Sequence, residues 1–185
     1  MNQTLTDIRE RFSCRAFTGQ MPAEEKLHAV LQAGIQSPSA MNAQPWQLAV
    51  LRNAGLLAEM EAEGMRMLAE LPDKSTYERI QSRGGKLFYN APCIIFVAAD
   101  SAMDSAPLDC GIVCQSIAVA AQSLGLATCI CGLASFSFEG DKAAYFKEKL
   151  AFPAGYELGM AVLLGEAAGP GTPHQPLPEK ITIVD

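Results

Sequence analysis

Charge is what this chain lacks most. Lys, Arg, Asp and Glu make up only 18% of its 185 residues, below the usual quarter, so little charge is available to cover a monomer's surface. That shortage points toward an oligomer. The 14 basic residues are outnumbered by 20 acidic ones, for a net charge of −6, and the acids are scattered rather than run together. Phosphate backbones require a concentrated basic face, so the balance argues against a nucleic-acid partner. A small phosphate ligand needs only a local cluster.

Other absences narrow the class further. No apolar stretch reaches about 18 residues before Gln, Ser or Gly interrupts it, so no membrane partner is expected. Residues 1–7 show no basic start followed by an apolar run, and the expectation is a soluble cytoplasmic protein. Repeats, low-complexity tracts and interdomain linkers are missing. With 49% hydrophobic residues, residues 1–185 read as one domain, with 166–185 as a Gly- and Pro-rich tail packing on the surface or on a partner subunit. The six Cys, at 14, 93, 110, 114, 129 and 131, match no zinc or iron–sulfur spacing, so no metal is expected. A chain of this length and apolar content needs no disulfides; the thiols read as small reduced hydrophobes. His28 falls in a helical pattern, where a surface or structural place suits it better than catalysis.

Periodicity then places the elements. Thr4 or Thr6 can cap a first helix to about Arg11, and Pro22-Ala23-Glu24-Glu25 has the form of the first turn of a second, which Ser37-Pro38-Ser39 stops. Trp46 to Leu51 reads as a strand, and Asn53 caps a long helix to about Leu71 whose Met-rich stripe suits core packing. Residues 75–85 are weakly patterned, and Gly84-Gly85 allow a turn. Cys93 to Ala99, apolar on both faces, suits an interior strand. From Ser105 to Leu124 runs a helix apolar on nearly every side, which must be surrounded either at the domain centre or at a subunit interface. A short extended piece near 125–132, a surface helix from about Glu139 to Leu150 and a strand from Glu157 to Leu164 follow. Residues 181–184 could add an edge strand, within the chain or across a dimer. Three or four strands without regular βαβ alternation predict an α+β layered domain.

Two polar islands carry the chemistry. Arg11, Ser13 and Arg15 are spaced by two, so in an extended segment their side chains share one side, and two guanidinium forks with a hydroxyl suit a terminal phosphate. A basic cap on the end of the first helix is the competing reading. In the second island Ser39, Asn42 and Gln44 lie between Pro38 and Pro45, with Trp46 anchoring the exit. Such a stiff loop can meet the polar edge of a flat heteroaromatic ring, or Ser39 and Asn42 simply cap a turn.

The segment Arg11-Phe12-Ser13-Cys14-Arg15-Ala16-Phe17, then Pro38-Ser39-Ala40-Met41-Asn42-Ala43-Gln44-Pro45-Trp46, then Leu108-Asp109-Cys110-Gly111, Gly125-Leu126-Ala127-Thr128 and Cys131-Gly132, in this order, resembles the nitroreductase family of FMN-dependent oxidoreductases over about residues 9–165. The resemblance implies an α+β fold with a central, mostly antiparallel sheet flanked by helices, and an intertwined homodimer binding FMN at the subunit interface. It assigns Arg11, Ser13 and Arg15 to the FMN phosphate, and Pro38, Ser39 and Asn42 of the partner to the ring and ribityl chain. Cys131 and Gly132 would pass by the ring, where backbone N–H groups stabilise negative charge. NADH or NADPH would serve as electron donor and a nitroaromatic, quinone or similar small molecule as acceptor, taking turns in one apolar slot. Flavin-linked chemistry on another substrate class, or a flavin-binding dimer with little turnover, are the alternatives. Asp109 belongs to the scaffold. Many relatives carry a C-terminal Lys or Arg on the phosphate; here only His174 or Lys180 could substitute. The Arg83-Gly84-Gly85-Lys86 segment lies where relatives often bring a further contact to the pyrimidine or ribityl side of the cofactor, although its match is weak and a solvent turn with ordinary surface charges is an equal reading.

Overall fold

Cys93–Asp100 (β2) and Tyr156–Gly165 (β4) form the centre of a four-stranded sheet in the order β1-β2-β4-β3, flanked by Trp46–Leu51 (β1) and Ala127–Ile130 (β3). All three pairings are antiparallel. This computed structural model describes residues 2–184. Residues 93–99, the run apolar on both faces, are buried throughout because β2 has a strand on each side and helices above and below.

Each face of the sheet has its own core. On one face, Ile95, Val97, Val162 and Leu164 pack with Leu27 and Val30 of Glu24–Ile35 (α2) and with Val113 and Ile117 of Ala106–Ser123 (α5). On the other, Ile94, Phe96 and Leu163 meet Met60 and Leu68 of Ala54–Glu70 (α3), Ile80 of Ser75–Gln81 (α4) and Phe146 of Ala143–Lys149 (α6). The result is an α+β sandwich of helix, sheet and helix, and among the described residues no helix is long and apolar enough to cross a membrane.

Several boundaries follow from local chemistry. Asn53 caps α3 as its side chain accepts from the Leu56 N–H at 2.9 Å. The first helix, Gln3–Glu10 (α1), is capped by Asn2 rather than by Thr4 or Thr6: the Asn2 side chain accepts the Leu5 N–H, and both threonines lie inside the helix. Pro22 stands before the cap position of α2, not in its first turn. The surface helix expected from Glu139 is shorter: a 3₁₀ turn over Gly132–Phe138 precedes it, and residues 139–142 form bends and turns before the helix starts at Ala143. Residues 75–81 are helical although weakly patterned: Asp73 accepts both the Ser75 N–H at 2.9 Å and its hydroxyl at 3.0 Å, organising the start of α4.

The all-apolar helix α5 is not surrounded within one chain. It buries Cys110, Val113, Cys114 and Ile117, yet Leu108 is 71% exposed and Gly111 and Gln115 share that open side. The tail begins along the surface of the chain. Its first part lies along residues 16–18, where Thr18 N–H donates to Glu166 O and Ala168 N–H to Ala16 O. Gly171 rests on the Phe12 ring so closely that a Cβ would lie 2.0 Å from it. Residues 181–184 then form no strand in this chain, and Ile181, Ile183 and Val184 are largely exposed.

Candidate functional site

The first island joins the site through the sheet. Ser13 forms a parallel bridge with Thr128, and Cys14 N–H donates to Thr128 O at 2.8 Å. This places Arg15 against the exit of β3. A cleft of about 400 Å³ opens there, with Arg15, Arg79, Arg83 and Tyr89 on one side and residues 129–133 on the other. A second cleft of about 380 Å³ lies between residues 12–16 and residues 169–172. Arg15 lines both, Ser13 lines the second, and no acid lines either.

Arg11 has two parts to play. Its backbone N–H closes α1 on Asp7 O. The side chain turns inward, where Nε is buried without a hydrogen-bond partner. Its charge and that of Arg15 both act on Cys129, so the two guanidinium groups flank the same short strand.

Tyr89 forms a wall the sequence did not reveal. Burial pushes its hydroxyl pKa up, with nearby Cys131 and Cys129 adding to the rise and the Arg15 guanidinium opposing it. Tyr89 and Asn90 both have left-handed backbone, φ 52° and 62°, a conformation that persists only when its surroundings hold it. Glu61 supplies the hold. Buried on α3, it accepts the Phe88 N–H at 3.0 Å and pairs with Lys86 at 3.2 Å, while Tyr89 O accepts from Phe17 N–H and so ties this turn to the first island. A carboxylate in register with Leu57, Gly64 and Leu68 on the helix was the available signal, because such a group is buried only with partners.

At the opposite wall the two expected residues differ. Cys131 N–H donates to Ala161 O at 2.8 Å and is consumed by the sheet. Gly132 is exposed, with no atom within 4 Å of where a Cβ would stand. Burial, the largest cause, raises the Cys131 thiol to about 11, with Cys129 adding to it; the Ala134 and Leu133 amides and Arg15 pull the other way. Cys93 and Cys114 are pushed to about 12 and Cys110 to about 11, each chiefly by burial.

These thiols stay protonated in the native chain where unfolded thiols ionise, near pH 9. Above that pH the unfolded state binds fewer protons than the native one, so stability must fall as pH rises from about 9 toward 11. Urea midpoints measured from pH 7 to 10.5 should be flat to about pH 8.5 and then decline. A midpoint constant through pH 10.5 would contradict this burial.

The second island stands apart from both clefts. Pro38, Ser39 and Asn42 line neither of them. Met41, Asn42 and Gln44 all have positive φ, 51°, 54° and 48°, and the loop is held by Ser39 Oγ accepting from Gln44 N–H at 2.9 Å and by Asp109 Oδ1 accepting from Ala40 N–H at 3.3 Å. Asp109 is thereby the scaffold group expected, although its Oδ2 is buried without a partner. Met41 is 93% exposed at the tip. His174 and Lys180 are exposed and line neither cleft. Gly84 and Gly85, with φ 96° and 69°, form the turn after α4.

A family model, the Nitroreductase family, matches residues 8–166. The chain therefore belongs to the nitroreductase family. A nitroreductase from Desulfitobacterium hafniense, solved with bound FMN, is 49% identical and superposes with a TM-score of 0.98 over 100% of both chains. One from Bacteroides fragilis, also with bound FMN, is 26% identical with a TM-score of 0.91 over 100% of both. A curated relative from Methanothermobacter thermautotrophicus, whose name includes NAD(P)H nitroreductase, is 32% identical over 66% of this chain. The match spans 56% of that relative's length, and 65% of a similarly named one from Archaeoglobus fulgidus.

Proposed function

We propose that the chain is an FMN-dependent oxidoreductase that takes hydride from NADH or NADPH and passes it to nitroaromatic, quinone or similar electron-poor acceptors. The observation that carries this reading is the Ser13–Thr128 bridge. It brings Arg15 beside the exposed Gly132 in one acid-free cleft and Ser13 into the adjoining one, while the buried, unpartnered Arg11 Nε leaves a donor unused. An anionic ligand with a planar, apolar body fits that donor set, and FMN is bound by two similar solved proteins.

Arg11, Ser13 and Arg15 would hold the phosphate by charge-assisted hydrogen bonds. Gly132, rather than Cys131, would present a backbone N–H toward the ring, since the Cys131 amide is engaged by Ala161. When bound, FMN supplies hydride acceptance and donation; the protein's part is to bind, orient and exclude water. Leu133 and Ile130 give the cleft apolar surface against which donor and acceptor can stack in turn. One slot for both makes the kinetics ping-pong.

The same reading includes a homodimer in which Ser39 and Asn42 of one copy complete the site of the other. What supports it is the open side of α5 at Leu108, the exposed Met41 and the apolar residues of the extended tail, each of which a second copy can cover. The stiff 39–44 loop is built to project without collapsing.

Anaerobic addition of NADH or NADPH to the FMN-loaded protein tests the activity directly. Rapid bleaching of the yellow colour by at least one donor, followed by reoxidation by a panel of nitroaromatics and quinones, is the expected result. A yellow protein that resists both donors would instead be a flavin-binding dimer, and a colourless one that fails to take up FMN removes the flavin reading altogether.

A further inference from the structure

Positive charge is distributed unevenly among the seven arginines. Arg9, Arg52 and Arg66 are each paired with a carboxylate. Among the described residues Arg11, Arg15, Arg79 and Arg83 form no salt bridge, and three of these four line the one cleft beside β3. Among the described residues the Arg79 side chain makes one hydrogen bond, from its guanidinium to Thr76 Oγ1 at 3.4 Å. Like charges gathered without counter-charge repel one another, and no acid lines this cleft to offset them.

Completing the end of α4 does not explain the pair. A helix C-terminus favours a cation within its last turn, and Arg79 already occupies that turn. Arg83 lies beyond the helix in the Gly84–Gly85 turn, yet it also faces the cleft. Under the proposed function, on which this inference rests, a single phosphate engages Arg11, Ser13 and Arg15. That leaves two guanidinium forks with no assigned anion.

We propose that Arg79 and Arg83 form a second anion subsite, which receives the negatively charged group of the ligand that enters the cleft after the cofactor. The chemistry is a phosphate or carboxylate held by planar donor forks. Two sources can bring it: the 2′-phosphate that distinguishes NADPH from NADH, or an acidic group on the acceptor. In either case the cleft prefers the charged member of an otherwise matched pair of ligands.

Equilibrium binding to the FMN-saturated protein, read by calorimetry and by perturbation of flavin absorbance, tests this without turnover. The matched pairs are NADP⁺ against NAD⁺, and 4-nitrobenzoate against 4-nitrobenzamide. Wild type should bind the more negative member of at least one pair about tenfold more tightly, a preference that shrinks with added salt. Arg79→Ala/Arg83→Ala should abolish it, leaving the other member of each pair within about twofold of wild type. Arg79→Lys/Arg83→Lys keeps the charge without the forks and should restore part of the preference.

A preference confined to the nicotinamide pair assigns the subsite to the donor, and one confined to the nitro pair assigns it to the acceptor. The proposal is overturned if wild type shows no preference in either pair, or if the double alanine variant retains one. It is equally overturned if that variant loses FMN in parallel, since the two arginines would then belong to the cofactor site. Should wild type fail to bind FMN, the proposed function falls by itself; calorimetry of NADP⁺ against NAD⁺ on the same protein then decides the anion subsite, with equal affinities rejecting it.

Discussion

Arg15→Ala is expected to raise the FMN dissociation constant by about tenfold to a hundredfold, the range for losing hydrogen bonds to a charged partner. Arg15 is the one side chain that lines both clefts, and the exposed Ser13 beside it cannot replace its charge. Thermal stability should fall with the affinity. A ligand bound only to the native state stabilises by mass action, so each tenfold loss removes about 1.4 kcal/mol of FMN-dependent stabilisation at saturating ligand. Fluorescence titration of FMN into apoprotein, with melting curves at fixed FMN, measures both quantities. Arg9→Ala, four residues from Ser13 on the exposed side of α1, serves as the control and should leave affinity within about twofold. Equal affinities for wild type and Arg15→Ala would remove the first island from the cofactor site.

Gly64→Val should destabilise the fold by about 2 kcal/mol or more, through overpacking of a dense core. A Cβ at position 64 would stand 2.5 Å from Leu87 Cδ2 and 2.8 Å from Ser137 Oγ. Neither neighbour can yield easily. Leu87 and Ser137 are fully buried, and the Ser137 hydroxyl donates to Met60 O at 2.8 Å. For a chain of this size the loss corresponds to a melting decrease of about 4–8 °C. The same insertion pushes apart residues 87–89 and 132–137, which carry opposite walls of the cleft, so FMN affinity should weaken as well. Ala62→Val, exposed on the same helix, should cost only its propensity difference of about 0.5 kcal/mol. Calorimetry of the two variants decides the matter, and indistinguishable melting temperatures would show that α3 can move away from Ser137 freely.

Features fixed by a few neighbouring residues were legible before the fold was known. The Asn53 cap, the buried run from Cys93 and the stop at Ser37-Pro38-Ser39 each depend on contacts within a turn or on one strand's periodicity. Arg15 and Gly132 could be nominated for one cofactor only by family resemblance, because their adjacency depends on a bridge between Ser13 and Thr128, more than a hundred residues apart. Tyr89 and Arg79 were invisible for a similar reason. Asn90 accepts a left-handed backbone readily but Tyr89 does not, and the turn there is held by Glu61 reaching across from α3 to the Phe88 N–H. The shortness of α4, and a start organised by Asp73 rather than by an apolar stripe, concealed the helix that carries Arg79. Likewise the committed amide of Cys131 is set by pairing with β4, which separates its role from that of Gly132.

The pairing of Ser13 and Cys14 with Thr128 has a consequence for how the protein survives in a crowded solution. β3 is the outer strand of the sheet, and an uncovered outer strand offers unpaired N–H and C=O groups to any other chain that approaches. Here Cys14 N–H occupies Thr128 O, and residues 166–168 continue the cover along residues 16–18. The segment assigned to the phosphate thus also guards the border of the sheet, so a lesion that detaches it would expose a template for self-association as well as emptying the site.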